Sequence, residues 1–74
     1  MPRRPRLLPQ KSWRFRVVGY SPAGEIMDLD DVMFEKMGQF VAHLMLMGDP
    51  RFKQPISRVK LIDIMGHEVW TKTL

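Results

Sequence analysis

The chain has 74 residues, no cysteine, 27% charged residues and a formal net charge of +4 at neutral pH. A chain this short supports one domain and buries only about 60% of the surface its unfolded form exposes. The missing cysteines exclude disulfides, thiolate metal sites and cysteine nucleophiles together.

The charge is unevenly spread. Residues 1–24 carry six basic side chains and no acid, residues 25–50 carry six acids against Lys36 alone, and residues 51–74 are net basic again. The first eleven residues, MPRRPRLLPQK, hold three prolines and four basic residues, a composition that resists helix and central strand. They read as an extended or disordered, flexible arm, with a single folded domain over 12–74. No apolar segment follows the basic start, so it does not read as a secretory signal. The longest apolar run, FVAHLMLM, is far short of the roughly 18–20 residues of a membrane span and includes His43. A soluble cytoplasmic protein is the expectation.

In SWRFRVVGY, alternation puts Trp13, Phe15 and Val17 on one face and Arg14, Arg16 and Val18 on the other, the pattern of a half-buried strand. SPAG then supplies a turn, with Pro22 preset for its second position and Gly24 suited to its last. EIMDL returns as a second strand.

A helix is predicted over 30–47. Asp28 or Asp30 can cap it, Asp31 and Glu35 suit its positive end, and Gly48 with Asp49-Pro50 stops it. At 100° per residue, Met33, Phe34, Met37, Phe40, Val41, Leu44, Met45 and Met47 share one arc, opposite Glu35, Lys36, Gln39, Ala42 and His43. The methionines are therefore expected as core filler against a sheet. Val32 and Leu46 are apolar on the polar side, which makes them candidates to meet a partner.

After a loop containing Pro55, VKLIDI and HEVWTKTL form a second hairpin around Met65-Gly66. The element order strand, strand, helix, strand, strand predicts a two-layer α+β domain, with the helix on one face of a four-stranded sheet. A β-grasp-like arrangement, with the first and last strands parallel at the centre, fits best; a meander is the alternative.

Three motifs invite chemistry, and each has a simpler explanation. GYSPAG has Ala23 where a nucleophile elbow needs glycine, and the chain is too short for the sheet that elbow requires. DLDD lacks the spacing, central glycine and terminal glutamate of a calcium loop. His43 and His67 have no neighbour at zinc-ligand spacing; they are placed on the solvated helix face and at a hairpin end. We therefore expect no catalytic residue, no metal and no cofactor.

The remaining signal is the basic residues. Arg14, Arg16 and Lys60 share an outward strand face that Arg58 and Lys72 can extend, Tyr20 can stack there on an unpaired base, and Arg3, Arg4, Arg6 and Lys11 lie in the arm. The leading expectation is a non-enzymatic module, monomeric or weakly homodimeric, that binds nucleic acid through arm and face. The alternative is a protein-interaction module, an adaptor or a small inhibitor of a larger enzyme. It would dock by a strand edge or through Val32, Leu46 and Trp70.

Overall fold

Two turns of the same design fold the chain back on itself. In the first, Gly24 takes a φ of +89°, its N–H donates to the Ser21 carbonyl at 2.9 Å, and the Ser21 hydroxyl accepts the N–H groups of Ala23 and Glu25, each at 3.2 Å. In the second, Gly66 takes a φ of +85°, its N–H donates to the Asp63 carbonyl at 2.9 Å, and Asp63 Oδ1 accepts the N–H groups of Met65 and His67, each at 2.9 Å. These turns join β1 (Phe15–Tyr20) to β2 (Ile26–Val32) and β3 (Arg58–Asp63) to β4 (Glu68–Thr73). The structure is a computed structural model and describes residues 13–74. The expected arm at residues 1–11 and the domain start at Ser12 lie outside the described residues. Because the Asp63 carboxylate accepts two of the second turn's N–H groups, Asp63→Ala is expected to lower stability by about 1–2 kcal/mol in a urea titration.

The four strands form one antiparallel sheet in the order β2-β1-β3-β4. The α+β, strand-strand-helix-strand-strand reading holds, but β1 pairs with β3 rather than β4, and no central parallel pair forms. Geometry accounts for the connection. Val32 lies beside Phe15 at one end of β1, whereas Arg58 lies beside Tyr20 at the other. The chain leaving β2 must travel back along the sheet before β3 can start. A helix of 12 residues covers about 18 Å, close to the ~20 Å of a six-residue strand, and so returns it.

That helix, α1 (Glu35–Leu46), starts later than the sequence suggests. Its N-cap is Phe34, with no side-chain capping bond, because the aspartates belong to β2. Asp28 accepts the N–H groups of Leu29 at 2.9 Å and Lys53 at 3.1 Å, which pins the loop after the helix to the edge strand. At the other end, Gly48 takes a φ of +82°, as expected of a helix stop. The Gln54 amide then donates to the Met45 carbonyl at 3.3 Å and accepts from the Ile56 N–H at 3.0 Å, bracing the turn into β3.

The helix also presents an unexpected face to the sheet. Its buried residues are Gly38, Ala42, Met45 and Leu46, and they pack with Val17, Val32, Phe52, Ile56, Val59 and Leu61. The buried face is turned roughly a third of a turn from the methionine and phenylalanine stripe. Of the predicted core residues, Met45 is fully buried and Val41 and Leu44 are half-buried, while Met33, Phe34, Met37, Phe40 and Met47 are exposed. The reason is close approach. An added Cβ on Gly38 would lie 2.5 Å from Leu61 Cδ1, so the backbone sits almost on the sheet, a distance only the small-residue face permits.

Candidate binding surface

Register assigns the side chains to faces, since directly opposed residues share one. On the helix side, Val17 lies beside Leu61, and Leu61 beside Trp70. On the other side three rows cross the sheet: Asp31, Arg16, Ile62 and Glu68; Leu29, Val18, Lys60 and Thr71; Ile26, Tyr20, Arg58 and Thr73. The helix contributes nothing to these rows, so what recognition they support comes from the strands alone.

The structure brings together Arg16, Lys60 and Tyr20 as expected, and Arg58 joins them. Lys72 does not, because its opposition to Val59 places it on the helix side. Arg14 is exposed just before β1, and its backbone N–H donates to the Val32 carbonyl at 3.1 Å. Arg3, Arg4, Arg6 and Lys11 lie outside the described residues.

The two halves of this face differ in how free their charges are. Arg16 is committed: its Nε donates to Asp31 Oδ1 at 2.6 Å and its Nη2 to Oδ2 at 3.0 Å, while its guanidinium lies 4.8 Å from the centre of the Trp13 ring. Hydrogen bonding to Asp31 raises the Arg16 pKa further above its ordinary value, against a smaller opposing effect of burial. Trp13 is buried, as expected, but against Arg16 rather than within the main core.

The other half is looser. Tyr20 is half-buried and has the Arg58 guanidinium 5.0 Å and the Lys60 ammonium 5.5 Å from its ring centre. Lys60 also reaches Glu68 at 3.5 Å, with both side chains partly in water. Exposed cation–π and ion-pair contacts of this kind are worth about 1 kcal/mol or less, so a competing anion can displace them. Beside this cluster, Ser21, Ser57 and Thr73 edge a shallow depression that also touches Tyr20 and Arg58. Arg58 was legible in the sequence as a basic residue on an alternating strand; its closeness to Tyr20 depends on the β1–β3 pairing.

The apolar anchors of the protein-interaction reading are corrected. Val32 and Leu46 are 4% and 9% exposed and belong to the core, and Trp70 is half-buried against it. Val32 faces inward because β2 runs through it, and Leu46 because the helix packs on its small-residue side. On the helix, the exposed apolar residues are those of the methionine and phenylalanine stripe instead.

His43 is exposed on α1, and His67 sits 3.8 Å from Asp63 at the exposed tip of the second hairpin. Among the described residues no group of three potential metal ligands is assembled, and no helix is long and apolar enough to cross a membrane. No protein-family model, no curated protein and no solved structure matches the chain, so the surface itself is what speaks to function.

Proposed function

We propose that the chain is a non-enzymatic binding module of the cytoplasm that holds single-stranded nucleic acid on the open face of its sheet. The observation carrying this reading is the Tyr20 ring flanked by Arg58 and Lys60 on the face the helix leaves uncovered. An unpaired base stacks on the tyrosine ring while the two cations move a short distance to the phosphates on either side. Every base has a π-face, so the preference is for single strands over a particular sequence. Arg16, held by Asp31 on the same face but two rows from Tyr20, contributes little direct contact. The basic residues at positions 3, 4, 6 and 11 add four positive charges for the polyanion.

A fluorescence titration with single-stranded and duplex oligonucleotides, repeated across a salt series, tests this. Affinity is expected to fall steeply with salt. Arg58→Ala should reduce the salt slope by about 0.7 for a single strand. Tyr20→Ala should cost about 1–3 kcal/mol while leaving that slope nearly unchanged. Equal affinity for duplex and single strand, or no effect of Tyr20→Ala, would reject the stacking site.

The second reading, a protein-interaction module, is favoured by a different observation. The outer face of α1 is apolar and exposed, so the docking surface moves there from Val32, Leu46 and Trp70.

A further inference from the structure

On α1 and its C-cap residue Met47, the apolar residues Met37, Phe40, Leu44 and Met47 on the side away from Gly38 are spaced by three, four and three positions. That is the spacing of a helix-pairing seam, in which apolar residues recur on average every 3.5 positions. Met37, Phe40 and Met47 are 48%, 62% and 68% exposed, Leu44 is half-buried, and Met33 and Phe34 extend the patch at the N-terminal end. The seam points nearly opposite to Gly38 and Ala42, the side on which the helix meets its own sheet. Met37, Phe40 and Met47 are therefore surplus to the fold, while Leu44 is partly packed against the core.

We propose that this face pairs with the same face of a second copy, the two α1 helices running antiparallel. The spacing reads the same in both directions, so a two-fold axis near residue 42 sets Met37 against the partner's Met47 and Phe40 against the partner's Leu44. An isologous interface requires this self-complementarity, and an unrelated helix would not. Antiparallel packing also sets the opposite ends of the two helix dipoles side by side.

Area supports a dimer of modest strength. The exposed fractions of Met33, Phe34, Met37, Phe40 and Met47 amount to roughly 550 Å² per chain, taking about 200 Å² for each large side chain. Such a patch is at the top of what monomers carry, and two of them together approach the ~1,200 Å² at which specific interfaces begin. Methionine suits this surface because its unbranched chain adapts to a partner without a fixed shape.

Sedimentation of the full chain across a micromolar range tests the proposal. The mass is expected to rise from one chain to two with concentration, and Phe40→Glu should hold it at one chain with an unchanged circular dichroism melt. Should Phe40→Glu fail to fold, Met47→Lys at the exposed helix end serves the same purpose. Because the chain has no cysteine, single-cysteine variants report orientation cleanly. A mixture of Met37→Cys and Met47→Cys chains is expected to cross-link on oxidation, whereas each alone should not, its two sulfurs lying about 15 Å apart along the axis. A chain that stays single up to hundreds of micromolar, a dimer that survives both charge substitutions, or self-cross-linking of Met37→Cys would overturn the arrangement. The first of these outcomes would leave the face to a helix of another protein.

Discussion

Replacing Gly38 with valine is expected to lower the unfolding free energy by about 3 kcal/mol, a large fraction of what a domain of this size possesses. Glycine inside a helix costs about 1 kcal/mol relative to alanine, so its presence there needs a reason. Here a Cβ would fall 2.5 Å from Leu61 Cδ1 and 3.2 Å from Val32 Cγ2. Leu61 has no exposed surface and is held among Val17, Val59 and the helix, so it cannot swing aside without opening the core. The same reasoning predicts a reversal of sign. Leu61→Ala alone should cost about 2–5 kcal/mol, and in that background Gly38→Ala should become stabilising by up to about 1 kcal/mol, because the added methyl then enters space and the helix propensity is gained. Urea titrations of the four proteins would decide it. A Gly38→Val variant as stable as the original would mean the helix does not lie this close to the sheet.

The second large effect concerns Arg16 and Asp31, whose removal is expected to be unequal. The Asp31 side chain has no solvent exposure, whereas that of Arg16 is 30% exposed and rests on Trp13. Arg16→Met removes two charge-assisted bonds from a carboxylate that water does not reach and is expected to cost about 3 kcal/mol. Asp31→Asn leaves a cation that water can still reach, and the loss should be about half as large. Lysine at position 16 should recover only part of the difference, since it cannot match the two parallel bonds of the guanidinium. The raised Arg16 pKa sets the pH behaviour: its contribution is fully present below the ordinary guanidinium range and is lost only as pH rises through the raised value. Across the neutral range the Arg16 contribution should therefore be flat. Thermal melts of the three variants would test the ranking, and equal losses for Arg16→Met and Asp31→Asn would contradict it.

The strands and both turns were legible because they are local. Alternation in FRVV and RVKL and glycines at positions 24 and 66 act over a few residues, and the structure keeps them. Two features were not local, and the sequence pattern misled on both. Asp28, Asp30 and Asp31 resemble a helix start, yet the Lys53 N–H, 25 residues on, makes Asp28 tolerable inside a strand, and Arg16 on the neighbouring strand does the same for Asp31. The apolar stripe of α1 marks where hydrophobicity lies, but small size at Gly38 and Ala42 decided which side met the sheet. The same two effects governed the candidate surfaces. Tyr20, Lys60 and Arg16 followed from strand parity, whereas the loss of Val32 and Leu46 and the gain of Met37, Phe40 and Met47 followed from the helix rotation.

The position of β1 between β2 and β3 has a consequence for how the chain is made. The first hairpin can close once Val32 has emerged from the ribosome, but the second edge of β1 finds its partner only when Arg58–Asp63 emerges. At about 5–20 residues per second, that interval lasts a few seconds. Throughout it, the nascent protein carries an unpaired strand edge containing Val17 and Val18, which the helix can shelter on one face but cannot hydrogen-bond. The edge strand β4 adds last and closes nothing inside the sheet. The pace at which the ribosome delivers β3 therefore governs how long a neighbouring chain could take its place.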